Sequence, residues 1–243
     1  MEDLILEYRN VHKSFKNIHV LRGVSLTVAK GETVVIIGKS GSGKSTILRC
    51  TNLLEPIQQG EILFKGKNIK QYNLMELRED IGIVFQSYNL FPHYTALQNC
   101  SLAPRVVKGK PKEEADQIGL AMLERVGLKD KVDSYPRHLS GGQQQRVAIA
   151  RSLALNPSVM MFDEVTSALD PELIGEVLKV MEDVATAGMT MLVVTHEMGF
   201  AKHVAKKVVF LHEGKIAELD TPDEVFDRPK DENLKRFLSA ILK

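Results

Sequence analysis

One octapeptide restricts this chain more than any other feature. Gly38-Lys39-Ser40-Gly41-Ser42-Gly43-Lys44-Ser45 follows the apolar run Thr33–Ile37 and opens a stretch of helical character, Lys44–Leu54. Two glycines with four residues between them, with Lys-Ser behind the second and a strand and a helix on either side, suit a loop that wraps a polyphosphate. Such a ligand carries several negative charges and needs many donors at close range. Glycines let the backbone turn tightly and aim successive N–H groups inward. The helix behind adds unpaired N–H groups and the positive end of its dipole. Lys44 supplies a point charge for the β- and γ-phosphates, and the Ser45 hydroxyl a ligand for Mg2+. The plain alternative is a glycine-rich strand-to-helix turn. A dinucleotide loop fits worse, because Thr46 stands where its third glycine belongs.

Composition narrows the classes. The chain has 243 residues, 44% of them hydrophobic, with 32 Lys+Arg against 31 Asp+Glu and a net charge of +1. That excludes a disordered chain. It also lacks the basic excess of a protein that grips nucleic acid, so no nucleic-acid partner is expected. No run approaches the roughly 18 apolar residues of a membrane-spanning helix. The acidic start, Met1-Glu2-Asp3, is unlike a signal peptide. Cys50 and Cys100 then read as free thiols in a reducing cytosol. The length allows one domain, or a core with a satellite subdomain.

Short apolar runs alternate with helical patterns. Strands are expected at Thr33–Ile37, Ile81–Phe85, Ser158–Phe162 and Met191–Thr195, with a hairpin of Val208–Leu211 and Lys215–Glu218 about Glu213-Gly214. Helices are expected at Lys44–Leu54, Lys112–Val126 (Ala115, Ile118, Met122 and Val126 on one side), Gly141–Leu155 and Pro171–Ala187. Asp170 and Pro171 make a cap and a first helical position. Strands separated by helices imply an α/β fold with a parallel sheet. From about Asn89 to Leu139 strand signals vanish and a helical insertion is expected. Leu234, Phe237, Leu238 and Ile241 form a stripe that suits a helix packed on its own domain, with a dimer or regulatory contact as the alternative. His203 and His212 lack metal-ligand partners and read as surface residues.

Two further segments carry chemistry. Val159–Phe162 is apolar and ends in Asp163 and Glu164. Carboxyl ends of parallel strands are where such sheets bind ligands. Asp163 is suited to hold Mg2+, and Glu164 to orient and deprotonate an attacking water; two acids capping the next helix are the alternative. Leu139-Ser140-Gly141-Gly142-Gln143 has capping-box spacing at Ser140 and Gln143. Two glycines in a first turn cost helix stability. They make sense if backbone N–H groups must approach an anion, including a phosphate bound to another subunit.

Gly38–Ser45, Leu139–Gln143, Val159–Glu164, Ser167-Ala168-Leu169-Asp170 and His196 stand in an order that resembles the ATP-binding-cassette (ABC) transporter ATPases, over essentially the whole chain. Arg49–Glu55, Phe85–Pro92 and Thr195–Phe200 give a finer resemblance to ATPase subunits of bacterial polar amino acid importers. The resemblance implies one ABC ATPase domain over 1–243. Its P-loop NTPase (RecA-like) core with a parallel sheet would occupy 1–88 and 157–243. An N-terminal antiparallel β subdomain and an inserted helical subdomain at 89–156 complete it. It further implies a head-to-tail homodimer that sandwiches ATP between Gly38–Thr46 of one copy and Ser140, Gly141, Gly142 and Gln143 of the other. Lys44, Gln86, Glu164 and His196 would be catalytic; Ser45, Gln86 and Asp163 would attend Mg2+; Asp170 would lie in a loop crossing the dimer interface; Phe15 would stack on adenine. Partners would be transmembrane permease subunits and, indirectly, an extracellular or periplasmic substrate-binding protein. The protein would sit peripherally on the cytoplasmic face of the membrane.

Alternatives are the ATPase of an exporter or lipid-handling complex, and a nucleotide-controlled scaffold; the presence of both Glu164 and His196 argues against the scaffold. A G protein is disfavoured because no guanine-reading Asn/Thr-Lys-x-Asp motif occurs. Three positions depart from the family pattern: Val165 and Lys39 stand where Pro is common, and Phe15 where Tyr is frequent.

Overall fold

A computed structural model describes residues 3–241. Along the chain run β1 (Leu4–Phe15), β2 (Ile18–Ala29), β3 (Thr33–Ile37), α1 (Lys44–Thr51), β4 (Gln59–Phe64), β5 (Lys67–Asn68), α2 (Leu74–Asp80), β6 (Ile81–Phe85), α3 (Ala96–Val106) and α4 (Lys112–Arg125). There follow α5 (Gly141–Leu153), β7 (Val159–Asp163), α6 (Pro171–Thr186), β8 (Thr190–Val194), α7 (Met198–Val204), β9 (Lys207–His212), β10 (Lys215–Asp220), α8 (Pro222–Asp227) and α9 (Glu232–Ile241). They gather into two compact units. One holds the chain up to Leu77 and from Gly188 onward, the other Arg78–Ala187.

The first unit contains an antiparallel sheet in the order β2-β1-β4-β5. Its strands bury Leu6, Tyr8, Val11, Leu21, Val24 and Leu26. The buried Tyr8 hydroxyl bonds Thr51 Oγ1 at 2.7 Å, and burial holds its pKa above the ordinary phenol value. A second sheet places β3 between β8 and β9, parallel to both, with Ile36 opposite Val194 and Ile37 opposite Phe210. All five residues of β3 and all five of β8 are buried. That accounts for their uninterrupted apolar sequence, since a strand covered on both faces has no polar side to alternate with. Each large side chain so buried contributes about 1.5–3 kcal/mol. β10 closes antiparallel on β9 across Glu213-Gly214.

Helix α1 stops at Thr51 rather than at Leu54, because Leu53 adopts a left-handed φ of 51° and ends the helix. In α9, Leu234, Phe237 and Leu238 are buried, with the Phe237 ring 5.3 Å from that of Phe210. The C-terminal stripe therefore packs on its own unit, although Ile241 is exposed. The buried Glu218 carboxylate accepts from the Lys230 and Asp231 amides and ties the approach to α9 to β10.

In the second unit β6 and β7 pair in parallel, from Ile81 opposite Val159 to Phe85 opposite Asp163. Helices α3, α4, α5 and α6 belong to this unit. The helical segment 89–156 lies inside it. The buried row of α4 is Ala115, Gly119 and Leu123, continued by Val126, whereas Ile118 and Met122 are only half-buried. The row shifts because α3 and α4 meet closely at Gly119. A Cβ there would come within 3.1 Å of Leu97 Cδ1 and 3.2 Å of Ser101 N. Helix α5 ends at Leu153, two residues short of the expected Leu155.

Candidate functional site

The loop between β3 and α1 is shaped by its glycines. Gly38 and Gly43 take φ of 150° and 106°, and Gly43 caps α1 in the left-handed region. Neither position admits a side chain: a Cβ on Gly38 would lie 2.2 Å from Leu211 O, and one on Gly43 2.8 Å from Leu21 Cδ2. Lys44 is buried, and its Nζ donates to Gly38 O (2.9 Å) and Lys39 O (3.2 Å). The ammonium is thus held inside the turn that its own chain makes. The Ser42 hydroxyl is buried without a hydrogen-bond partner. Lys39, Ser40 and Gly41 are exposed, Ser45 and Thr46 half-buried at the first turn of α1. A Cβ on Gly41 would meet nothing within 4 Å. Backbone N–H groups, a fixed cation and a spare hydroxyl can together receive a triphosphate.

The same unit holds two more of the expected residues, one beside β3 and one on the other sheet. His196 is exposed just beyond β8, and β8 lies beside β3, whose end leads into the glycine turn. Phe15 ends β1 and is 39% exposed, so it is not core material. The turn at Gly214 joins the hairpins to the loop: Gly214 N donates to Ser42 O (3.2 Å), and Arg22 N to Gly214 O (2.8 Å).

In the second unit, Gln86 and the two acids lie at the adjacent ends of two paired strands. Asp163 closes β7 opposite Phe85, and Gln86 follows Phe85. Asp163 is buried, Glu164 half-buried and Gln86 exposed. Glu164 has a left-handed φ of 50°, a conformation that costs a non-glycine residue about 1–3 kcal/mol unless its neighbours enforce it. Here buried Asp163 precedes it and buried Val165 and Thr166 follow, with Ser167 N bonded to Glu164 O at 3.0 Å. Asp170 occupies the N-cap of α6 but makes no side-chain capping bond, so Pro171 carries the helix start. Among the described residues no group of three or more His, Cys, Asp and Glu could hold a metal ion. Mg2+ needs no such group. A hydroxyl such as that of Ser45 and a carboxylate such as that of Asp163 are the hard oxygen donors it takes, alongside phosphate oxygens and water.

Ser140 and Gln143 form the capping box their spacing suggests: Ser140 Oγ accepts from Gln143 N (3.2 Å), and Gln143 Oε1 from Ser140 N (3.0 Å). The two glycines also have a packing reason that the sequence did not reveal. A Cβ on Gly141 would lie 2.8 Å from the Tyr88 hydroxyl, and one on Gly142 3.2 Å from Leu173 Cβ. Ser140 stays exposed.

Sequence reasoning missed the residues that hold the segment after Gln86. Asn99, fully buried in α3, accepts from Phe91 N (2.9 Å) and donates to Phe91 O, Tyr94 O and Thr95 O at 3.2, 3.1 and 3.0 Å. Arg151 of α5 donates to Asn89 O at 2.7 Å and lies 5.6 Å from the Phe91 ring centroid; burial lowers its pKa from the ordinary value. An Asn on the buried side of a helix was the available signal.

Comparison with known proteins accords with this geometry. A family model described as ABC transporter matches residues 21–167. The glutamine transport ATP-binding protein GlnQ of Geobacillus stearothermophilus is 53% identical over 240 residues, which cover 98% of this chain and 99% of that protein. The general L-amino acid transport ATP-binding protein AapP of Rhizobium johnstonii is 50% identical over 242 residues, 99% of this chain and 94% of that one. Among solved structures, the dimeric post-hydrolysis state of the ATP-binding cassette MJ0796 bound to ADP and Pi superimposes with a TM-score of 0.81 at 34% identity. It covers 90% of this chain and 99% of that one.

Proposed function

The chain belongs to the ABC transporter family of ATP-hydrolysing subunits, and on that premise we propose that it powers uptake of polar amino acids through a membrane permease. The observation that carries the reading is Lys44, a buried ammonium held by Gly38 O and Lys39 O within a turn closed to side chains at Gly38 and Gly43. Such a construction serves a polyphosphate and little else. The finer statement, amino acid import, is supported by GlnQ and AapP, whose similarity extends over nearly the whole chain.

In this reading Gly38–Thr46 wraps the triphosphate and Phe15 stacks on the adenine. Ser45 and Asp163 would hold Mg2+, which would supply positive charge against the phosphates, and Gln86 would attend it. Glu164 accepts a proton from the water that attacks the γ-phosphorus, and the bond to the β–γ bridging oxygen breaks. His196 orients the γ-phosphate. Ser140, Gly141, Gly142 and Gln143 meet the nucleotide held by a second copy, in a head-to-tail pair. A permease in the membrane and a substrate-binding protein outside it complete the machine, with this subunit peripheral on the cytoplasmic face. No described helix is long and apolar enough to cross a membrane.

The test is co-purification from membranes followed by reconstitution. ATP-dependent uptake of labelled glutamine or another polar amino acid by vesicles holding the co-purified permease is the expected result. Phosphate release without uptake of any polar amino acid would remove the import reading and leave the ATPase.

A further inference from the structure

Lys13 is a charged side chain where charge is expensive. It is only 4% exposed, yet it lies on β1 two residues before Phe15. Its Nζ donates to Glu55 Oε2 at 2.9 Å and to Pro56 O at 2.8 Å, and lies 4.4 Å from the centroid of the Phe15 ring. Both oxygens come from the turn that closes α1. There Leu53 has its left-handed φ, and the Leu54 and Glu55 amides both donate to Arg49 O, at 2.9 and 3.1 Å. The hairpin that bears the ring adjoins the start of the same helix, since a Cβ on Gly43 would come within 3.2 Å of Val20 O. One end of α1 therefore borders the glycine turn, and the other fixes the ammonium beneath the ring.

We propose that Lys13 is a positioning residue for Phe15, holding one face of the ring so that the other is presented to a purine. The inference rests on the reading of Phe15 as the base-stacking residue. A cation on a ring face is attracted by the negative quadrupole there, and the attraction grows when the cation is desolvated, as Lys13 is. The ring of an exposed phenylalanine otherwise samples several rotamers, and ordering it would weaken binding. The cation also draws electron density from the ring, which favours stacking of an electron-rich base on the opposite face. Lys13 thus acts on the base-dependent part of nucleotide affinity and not on the phosphate-dependent part, which Gly38–Ser45 governs.

Calorimetry on the full chain separates the two parts, with ATP and inorganic triphosphate as probes. Lys13→Met weakens ATP binding by about 3- to 10-fold and leaves inorganic triphosphate unchanged. In a Phe15→Leu background the same substitution has no further effect on ATP. Equal weakening of both probes, or additivity with Phe15→Leu, makes Lys13 a structural anchor of the Glu55–Pro56 turn and overturns the proposal. If Phe15→Leu leaves ATP affinity unchanged, the base-stacking reading itself fails. If Phe15→Leu weakens ATP and Lys13→Met does not, only the present inference fails. Should Lys13→Met not fold, Glu55→Ala removes one of the two oxygens that hold the ammonium, the Pro56 carbonyl being the other, without altering a buried position. A loss of about 2- to 5-fold for ATP alone supports the proposal, and no loss rejects it.

Discussion

Lys44 and Glu164 should fail in different ways. Removing the buried ammonium by Lys44→Ala takes away the charge on which the glycine turn closes, so nucleotide binding is lost together with turnover. Glu164→Gln keeps the size of the side chain and removes the proton acceptor. ATP binding survives, phosphate release falls by about 10²- to 10⁴-fold, and an ATP-loaded dimer accumulates. Nucleotide calorimetry, a phosphate-release assay and size-exclusion chromatography with ATP distinguish the two outcomes, and near-normal turnover by Glu164→Gln would reject the proposed base. The placement of these residues was legible in the sequence: glycines at two points of a turn, then a lysine, and acids at the end of an apolar run. Lys13 was not legible. Its partners Glu55 and Pro56 lie 42 and 43 residues away, and nothing in the local pattern shows that a lysine on β1 is buried.

The helices of the second unit show where periodicity stops being sufficient. The buried row of α4 passes through Gly119 because α3 comes close there, and a glycine has no hydrophobic weight in a pattern search. Likewise α1 ends at a left-handed leucine, a conformation that side-chain chemistry does not announce. Strands β3 and β6, by contrast, begin and end where the sequence predicts, since apolar runs bounded by polar residues leave little freedom. Asn99 offers a test at this scale. Asn99→Ala leaves Phe91 N, Phe91 O and Tyr94 O without their side-chain partner, so the unit should lose about 2–3 kcal/mol of stability. Urea unfolding measures the loss. Hydrogen exchange should show the Gln86–Thr95 segment opening faster while β6 and β7 stay protected.

For the molecule as a whole, the fold and the family are legible in the sequence, whereas the partition at Leu77/Arg78 and Ala187/Gly188 is not, because it depends on which elements pack together. Global stability should carry a signature of both buried thiols. Burial pushes Cys50 and Cys100 up to about 12 from an ordinary 9.0, so each stays protonated in the folded chain while it ionises in the unfolded one. The folded state then holds more protons above pH 9. Stability is intact below that value and falls as pH rises toward 12, by about 1.4 kcal/mol per pH unit for each thiol. Denaturant midpoints between pH 8 and 10 would show the decline, and Cys50→Ser with Cys100→Ser would flatten it there; above pH 10 the buried Tyr8 phenol adds a fall of its own. Finally, the amide of Gly214 donates to the carbonyl of Ser42 while its own carbonyl receives the Arg22 amide. That one residue is a natural spy on the glycine turn. Isotope labelling there would yield a resonance whose chemical shift reports filling and emptying in real time, without a dye or an engineered probe.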